Sequence, residues 1–435
     1  RDVDAQAPVA ADPLAQLALG RRRMSGVPET LAWRLARFAA FGVLVVTPFR
    51  SSAGLRGALL LLAAFLILWS LRGGLAAALP RARLLGTALA LWFMLAFASA
   101  LMGPEPLNAL QVVKRDILTP TLAFLVFHAL TREARDLRLW SVALAIGLMV
   151  LTLMALHQPF DPKALTQELP YLGVGWLTAW LITIAPVFAL LALNPDRGRW
   201  RTALLVLAAA GLLLSAWASG SRTVWACFAL MALVVVGIAW QVMQRQQHRR
   251  LLVSTALGLT VIGAAFWASL EYRAATQARE GETAIAFLMA DHRVQIWHEA
   301  MSMISERPWT GQGYGTDGLH EAFRQRFSEP WFRAMVQQPH NVLLNAALQM
   351  GWPGALLLLG LFGALFQAFW VRAIDVRADE SMRLAAACGV ALVAGVFLRN
   401  MTDDFLSRHG VLALGAVAGM LYGLARRPTS LPVAN

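Results

Sequence analysis

Apolar runs of membrane-spanning length recur along the whole chain of 435 residues. A helix needs about 20 predominantly apolar residues to cross a bilayer. By that measure, the sequence predicts spans at 31–49, 54–71, 83–102, 117–131, 138–157, 171–193, 202–218, 223–242, 251–270, 341–371, 384–398 and 409–425. Only 14% of the residues are charged, against about a quarter in soluble domains. We therefore predict an all-α polytopic membrane protein with about 12 transmembrane helices.

Arginines in the short connecting segments predict the orientation of these spans, because such segments are cytoplasmic when rich in arginine. The segment before the first span carries Arg21, Arg22 and Arg23, whereas the short opposite loop 158–170 carries only Lys163. The alternation continues along the chain and predicts that both ends lie in the cytoplasm. The long segment before the tenth span then lies outside, which is the periplasm for a bacterial inner membrane.

This layout divides the chain into a cytoplasmic segment, nine spans, a helical periplasmic loop, three more spans and a cytoplasmic tail, at 1–30, 31–270, 271–340, 341–425 and 426–435. The N-terminal segment lacks the charged–apolar–cleavage pattern of a signal peptide, and none is predicted. The net charge of +13 is not accompanied by a soluble basic domain or a nucleic-acid motif. Membrane lipids, and not nucleic acid, are therefore the expected partners.

The predicted periplasmic loop carries two helical patterns. RVQIWHEAMSMI places Val294, Trp297, Met301 and Ile304 at helical spacing, and HEAFRQRFSEPWFRAMV follows it. The aromatic residues of the loop predict helices that rest at the membrane interface; these are Trp309, Phe323, Phe327, Trp331 and Phe332. Several arginines make the loop basic, which favours an anionic, lipid-linked ligand.

Two arginines on the predicted outer side could carry chemistry. Arg222 follows Ser219-Gly-Ser221 at a boundary between spans, where backbone N–H groups of a small-residue turn can hold an anion. Arg293 opens the first amphipathic pattern of the loop. Each also has a simpler interpretation: Arg222 as a side chain that snorkels to the interface, and Arg293 as part of a solvated helix face.

His340 stands at the start of the tenth span, where Asn341 is the predicted N-cap. A helix N-terminus disfavours a protonated imidazole, so we expect a neutral His340 that can act as a general base. The alternative is an ordinary interfacial histidine. Chain position alone does not distinguish His340 from His292, His298, His320 and His409.

Asp403 and Asp404 lie together between the last two spans. Paired carboxylates can bind a divalent cation or act as a base. We favour a charged turn that pairs with Arg399 or Arg408, because no other acidic cluster completes a metal site. No metal or other cofactor is therefore expected.

Several short motifs occur in a characteristic order. They are Ser219-Gly-Ser-Arg222, Arg293-x-x-x-Trp297, Arg307-Pro-Trp-Thr-Gly311-x-Gly313-x-Gly315, Pro339-His340-Asn341 and Gly351-x-x-Gly354. The glycine triplet is not followed by Gly-Lys-Ser/Thr, so nucleotide binding is not expected. In this combination, and with a large loop late in the chain, the sequence resembles the O-antigen ligase and polymerase family of bacterial envelope glycosyltransferases.

The resemblance implies a C-type glycosyltransferase-like fold that transfers a glycan from undecaprenyl diphosphate to the lipid A–core oligosaccharide, with inversion and without metal or nucleotide sugar. It implies that Arg222 and Arg293 hold the diphosphate and that His340 serves the acceptor hydroxyl. We also predict substrate contacts from Ser221 and Asn341. O-antigen polymerase and protein O-oligosaccharyltransferase remain alternatives within the family. A transporter of lipid-linked glycans is the alternative from another class, but no related halves are evident.

Overall fold

The computed structural model describes residues 30–71, 79–157, 174–193, 198–243, 245–277, 293–315, 317–328, 336, 338–406 and 408–426. Within these ranges the secondary structure is helical, and no β-strand is present. The helices are α1 Leu31–Val46, α2 Ala53–Ser70, α3 Arg83–Met102, α4 Pro106–Val113, α5 Thr119–Leu130, α6 Ala134–His157, α7 Val174–Leu193, α8 Arg199–Ser219, α9 Arg222–Val242, α10 Arg245–Gln277, α11 Arg293–Glu306, α12 Asp317–Arg324, α13 Val342–Ala373, α14 Glu380–Met401 and α15 Arg408–Leu424.

Every predicted span coincides with a helix, and the all-α polytopic fold is confirmed. In the described part of the chain, nine helices are long and apolar enough to cross a membrane. The other three predicted spans correspond to α1, α5 and α15, with 16, 12 and 17 residues. Helix α5 is longer in effect, because α4 leads into it through a π-helical turn at Lys114–Leu118. Twelve spans and their orientation stay predictions.

Glycines allow α15 to pack closely on α5. A Cβ atom added at Gly415 would lie 2.2 Å from the carbonyl oxygen of Pro120, and one added at Gly419 would lie 2.3 Å from that of Phe124. In a bilayer, small residues at helix contacts let two backbones approach, and packing then supplies the stabilisation that the hydrophobic effect cannot. This contact fixes α15, and with it the connection from α14 that reaches the candidate site.

The segment that was predicted to form the outer loop begins in helix. Helix α10 continues to Gln277, beyond the predicted end of the span at residue 270. No glycine or proline interrupts the sequence LEYRAATQ, so the helix has no reason to end at the predicted membrane boundary.

Helix α11 confirms the first helical pattern of the loop, but the four apolar residues at helical spacing are not all on its buried face. Ile304 is buried as expected, whereas Val294 and Met301 are 71% and 44% exposed. The buried side chains are Ile296, Ala300, Met303 and Ile304, which pack with Ala347 and Leu348 of α13. The contact with α13 determines which face of α11 is buried. The loop sequence alone gives no information about that contact.

The aromatic residues of the loop divide between surface and core. Trp309 is 74% exposed. Phe323 and Phe327 are only 1% and 2% exposed and belong to the buried cluster between the loop helices and α13. The position of the loop helices at the membrane interface stays a prediction. Helix α12 ends at Arg324, and Trp331 and Phe332 lie outside the described residues.

Helix α13 is broken near its middle. Met350 and Gly351 have non-helical backbone angles, with φ of +70° at Gly351, and Pro353 follows inside the helix. Proline has no N–H group, so the carbonyl of Gln349 has no helical donor four residues ahead. The break therefore leaves backbone acceptors that another part of the chain has to satisfy.

The loop segment 307–315 fills this break. The N–H groups of Gln312 and Gly313 donate to the carbonyls of Leu348 and Gln349, at 2.8 and 3.0 Å. In return, the N–H of Trp352 donates to the carbonyl of Pro308 at 2.8 Å. The loop thus supplies the hydrogen bonds that the helix lacks, and the broken helix anchors the loop.

Glycine is required on both sides of this contact. A Cβ atom at Gly311 would lie 2.4 Å from the carbonyl carbon of Gln349, and one at Gly351 would lie 2.5 Å from that of Trp309. Both glycines also have positive φ, which costs other residues roughly 1–2 kcal/mol. The glycine motifs of the loop and of the tenth span therefore serve the same contact between the loop and α13.

Candidate functional site

His340 is placed by the capped start of α13. The side-chain oxygen of Asn341 accepts hydrogen bonds from the N–H groups of Leu343 and Leu344, at 3.0 and 3.1 Å, which confirms the predicted N-cap. The amide of Asn341 also donates to the carbonyl of Met401 at 3.2 Å. His340 itself has φ of +53°, a strained value for a residue with a side chain. These contacts hold the imidazole beside the connection between α14 and α15.

The imidazole of His340 meets the carboxylate of Asp403. Nδ1 of His340 lies 2.7 Å from Oδ1 of Asp403. An ionised carboxylate can only accept, so Nδ1 carries the proton and donates it. In the neutral ring, the lone pair is then on Nε2. The two side chains are 27% and 16% exposed, so the pair is accessible at the surface of the site. A carboxylate that orients a histidine in this way prepares it for general-base catalysis.

Arg399 holds the second oxygen of the same carboxylate. Its Nη2 lies 3.5 Å from Oδ2 of Asp403, which confirms one of the two pairings predicted for the acidic turn. Arg399 is 4% exposed, donates through Nε and Nη2 to the hydroxyl of Thr178 at 3.1 and 3.0 Å, and lies over the ring of Phe405. The side chain of Arg408 lies outside the described atoms. Asp403 is thereby fixed from both sides.

The two neighbouring carboxyl groups have opposite electrostatic environments. Burial alone would raise the pKa of Asp403, but the hydrogen bond from His340 and the charges of Arg399 and Arg293 bring that pKa below its usual range. Burial raises the pKa of Asp404, although hydrogen bonds from Asn345 and from the Leu406 N–H oppose the effect. Asp403 is therefore ionised at neutral pH, and Asp404 has an increased tendency to be protonated.

Arg293 and the helix that begins with Arg222 meet at this turn. The charge of Arg293, at the start of α11, acts on both Arg399 and Asp403. Next to Arg222, at the start of α9, the hydroxyl of Thr223 accepts a hydrogen bond from that of Thr402 at 3.4 Å. The turn beside His340 is thus in contact with the first turn of α9 and within electrostatic range of Arg293.

Ser221 and Asn341 use their polar groups within the protein. The N–H of Ser221 donates to the hydroxyl of Ser219 at 3.2 Å, and the Ser221 side chain makes no capping hydrogen bond. Asn341 is 7% exposed, and both ends of its side chain are bonded to backbone groups. These contacts favour a positioning role for Asn341; direct contact with substrate stays a prediction for both residues.

The central pair, His340 and Asp403, is the feature that the sequence interpretation missed, since 63 residues separate the partners. The structure also distinguishes His340 from His298, whose side chain is 82% exposed. One signal was available in the sequence. Arg399 and Asp403 stand four residues apart at the end of an apolar run, where ionisable side chains usually serve a function.

An apolar cavity of about 430 Å³ adjoins the site. Side chains of α3, α5, α13 and α15 form its walls, with Trp92, Phe124 and Phe362 among them. Asp404 and Asn345 lie in the cavity wall, so the acidic turn belongs both to the His340 cluster and to the cavity. The arrangement combines an imidazole paired with a carboxylate, nearby cations and an apolar cavity, which suits a substrate with an anionic head and a hydrocarbon chain.

Residues 203–359 match a family model described as O-antigen ligase. The matched segment contains Arg222, Arg293, His340 and the broken part of α13, whereas Asp403 lies beyond it. No curated protein matches the chain. Over this segment, which is just over a third of the chain, the protein is similar to the O-antigen ligase family.

Proposed function

We propose that the chain is an O-antigen ligase that transfers a glycan from undecaprenyl diphosphate to the lipid A–core oligosaccharide. The observation that carries the proposal is the 2.7 Å contact between His340 and Asp403, beside two arginine-bearing helix starts. The site would face the periplasm from a bacterial inner membrane. That orientation follows from the arginine-rich segments at the opposite ends of the helices.

His340 would act as the general base. Its Nε2 takes the proton of the acceptor hydroxyl while the hydroxyl oxygen attacks the anomeric carbon of the donor. The bond from that carbon to the diphosphate oxygen breaks, and the diphosphate leaves with the electron pair. The ionised Asp403 stabilises the imidazolium that forms. A single displacement of this kind inverts the configuration of the anomeric carbon.

Arg222 and Arg293 would stabilise the leaving diphosphate. A guanidinium group is always charged and can bond two phosphate oxygens at once. Negative charge grows on the diphosphate as the anomeric bond breaks, so these contacts strengthen in the transition state. The low dielectric near the bilayer increases their effect. No metal is required for this step, because the two arginines supply the positive charge.

The apolar cavity beside Asp404 supports a lipid-linked substrate. Its aromatic and aliphatic walls suit a polyprenyl chain, and its contact with the acidic turn would bring the head of that lipid toward His340. With a volume of about 430 Å³, it accommodates part of a long isoprenoid chain, and the rest would extend into the bilayer.

The test is reconstitution with purified components. The protein is mixed with an undecaprenyl-diphosphate-linked glycan and is offered lipid A–core, a second lipid-linked glycan or a serine-rich protein. We expect transfer to lipid A–core. Transfer to the second lipid-linked glycan would identify a polymerase instead, and transfer to the serine-rich protein would identify a protein oligosaccharyltransferase.

Variants separate the proposed roles. Arg222→Ala and Arg293→Ala should abolish transfer, whereas Arg326→Ala, which removes an exposed pair with Glu306 in the same loop, should not. His340→Ala should lose transfer and still bind the donor lipid. Near-normal transfer by the His340 variant would exclude it as the base, and near-normal transfer by either arginine variant would argue against the leaving-group role.

A further inference from the structure

A single hydroxyl group from another helix anchors the guanidinium of Arg399. Thr178 lies near the start of α7 and is 0% exposed. Its Oγ1 donates to the carbonyl of Gly175 at 3.0 Å and accepts hydrogen bonds from Nε and Nη2 of Arg399, at 3.1 and 3.0 Å. A hydroxyl group has one proton and two lone pairs. The Thr178 hydroxyl therefore uses its full hydrogen-bonding capacity, and most of it serves Arg399.

Arg399 connects Thr178 with the pair of His340 and Asp403. The same Nη2 that donates to Thr178 lies 3.5 Å from Oδ2 of Asp403. The other oxygen of that carboxylate, Oδ1, lies 2.7 Å from Nδ1 of His340. A guanidinium group is planar and rigid, so its orientation on Thr178 determines where its other donors point. The contacts thus run without a gap from α7, through the end of α14, to the start of α13.

The first turn of α7 also packs against the ring of Phe405, two residues after Asp403. A Cβ atom added at Gly175 would lie 1.7 Å from Cζ of Phe405, so a larger residue would displace the ring. Trp176 meets the ring edge-on, with the two centroids 5.4 Å apart, and the guanidinium of Arg399 lies 4.6 Å from its centre. Packing and hydrogen bonds therefore hold α7 against the acidic turn together.

Thr178 lies deeper in the protein than the groups that a substrate would meet. The side chains of His340 and Asp403 are 27% and 16% exposed, and that of Arg399 is 4% exposed. Exposure thus decreases along the chain of contacts, to 0% at Thr178. An effect of the Thr178 hydroxyl on a reaction at His340 therefore has to pass through Arg399 and Asp403.

We propose that Thr178 is a positioning residue for glycan transfer: its hydroxyl orients Arg399, which in turn fixes the carboxylate of Asp403 against His340. The inference rests on the proposed function, in which His340 is the general base. A carboxylate keeps a catalytic histidine in one tautomer and one orientation. Buried donors that lose an acceptor are costly, so Arg399 without the hydroxyl would turn. Because Arg399 already contacts Asp403, that turn would draw the carboxylate away from the imidazole.

The first test compares three variants of the reconstituted enzyme. Thr178→Val keeps the shape of threonine and removes the hydroxyl, whereas Thr178→Ser keeps the hydroxyl. Thr183→Val is the matched control on the same helix, because the Thr183 hydroxyl donates to the carbonyl of Ala179 one turn earlier. Valine is preferred to alanine at residue 178, since a void of about 10 Å³ already lies beside Arg399. Alanine would enlarge this void, and a water molecule could then replace the hydroxyl.

Turnover and the KM for the donor separate positioning from substrate binding. Thr178→Val should lower turnover by about tenfold, the rate equivalent of one buried hydrogen bond, while the KM stays near that of the parent. Thr178→Ser and Thr183→Val should turn over as the parent does. Parent-like turnover of Thr178→Val would overturn the proposal, and so would a raised KM with unchanged turnover. Equal losses in Thr178→Val and Thr178→Ser would also overturn it, because the hydroxyl would not be the group that matters.

If Thr178→Val does not fold, Arg399→Lys tests the same chain of contacts from its middle. Lysine keeps the positive charge but lacks the planar fork that meets Thr178 and Asp403 at once. We expect turnover to fall at an unchanged KM for the donor. Parent-like turnover of Arg399→Lys would show that the charge alone is sufficient and would overturn the proposal.

Nuclear magnetic resonance tests the positioning role without glycan transfer. In protein with isotopically labelled histidine, the Nδ1–H of His340 that is bonded to Asp403 should give a low-field proton signal, identified by its loss in His340→Ala. We expect this signal to move or broaden in Thr178→Val and to stay in place in Thr178→Ser and Thr183→Val. An unchanged signal in Thr178→Val would overturn the positioning role, even in an active enzyme. A changed signal in a protein that transfers no glycan would support the positioning of His340 and count against the proposed function.

Discussion

Replacing Asp403 with asparagine tests whether its carboxylate controls His340. The change preserves size but removes one acceptor. In the parent, one oxygen lies 2.7 Å from Nδ1 of His340 and the other lies 3.5 Å from Nη2 of Arg399. An amide has a single oxygen. If its NH₂ faces Arg399, two donors oppose each other; if it faces His340, the imidazole has to move its proton to Nε2 and can no longer act as the base.

The size of the effect follows from the lost contact. A hydrogen bond to a charged group contributes about 1.5–3 kcal/mol. Since 1.36 kcal/mol corresponds to a factor of ten in rate, the loss predicts a turnover reduced roughly 10- to 150-fold. The side chains of His340 and Asp403 are 27% and 16% exposed, and solvent screening favours the lower part of that range. Arg399 keeps its bonds to Thr178, so we expect the fold to survive.

The assay is the initial rate of glycan transfer at saturating donor, with the KM for the donor measured in parallel. Turnover should fall while the donor KM stays near the parent value, because the diphosphate would contact arginines and not Asp403. Asp375→Asn is the matched control: it is the same chemical change in the connection after α13, at the opposite end of that helix from His340. Parent-like turnover of Asp403→Asn, or equal losses in both variants, would refute the reasoning.

Other predictions concern the fold, pH and metal ions. Gly351→Ala should lower the free energy of unfolding by at least about 2 kcal/mol, because the added Cβ is strained at positive φ and overlaps the backbone of the loop. Gly360→Ala is the control, since nothing lies within 4 Å of its added Cβ, and it should have little effect or stabilise the protein. Equal unfolding midpoints of the two variants would contradict this. Asp403 has a lowered native pKa, so its stabilisation is complete above its ordinary value of about 3.9 and is lost as the pH falls through the native value. Asp404 has a raised native pKa, so its stabilisation is lost as the pH rises, and the unfolding midpoint of Asp404→Asn should fall less than that of the parent as the pH rises from 4 to 8; an equally steep fall in both proteins would contradict this. Treatment with EDTA should leave glycan transfer unchanged. If EDTA inactivated the enzyme and Mg²⁺ restored it, the metal-free proposal would be wrong, and Asp403 and Asp404 would become the leading candidates for a metal site.

The span pattern could be predicted from sequence because membrane crossing is a local property. An apolar run such as 223–242 requires a helix whatever surrounds it, since the bilayer offers no other partner for its backbone. The ends of the helices were harder to predict from sequence, as shown by α10, which continues to Gln277. The buried face of α11 could not be derived, because Val294 and Ile296 are equally apolar and only contact with α13 selects between them.

In the candidate site, too, contacts between neighbours in sequence could be predicted and contacts between distant segments could not. His340 and Asn341 could be recognised together, because a capping residue and the helix it starts are neighbours in sequence. The pairing of His340 with Asp403 could not, because it depends on how α13 packs against the connection after α14. The role of Thr178 as a support for Arg399 was still less visible, since 221 residues separate them and a threonine in an apolar helix gives no signal by itself.

The exchange of hydrogen bonds between segment 307–315 and the broken part of α13 has a practical consequence for building chimeric enzymes. A loop taken from one family member and inserted up to residue 340 would bring its own donors but meet another protein's helix. Such a graft would separate the loop from the part of α13 with which it exchanges hydrogen bonds. A junction placed after Gly354 would transfer both parts together, so we expect such a chimera to keep the hydrogen bonds between the loop and the helix.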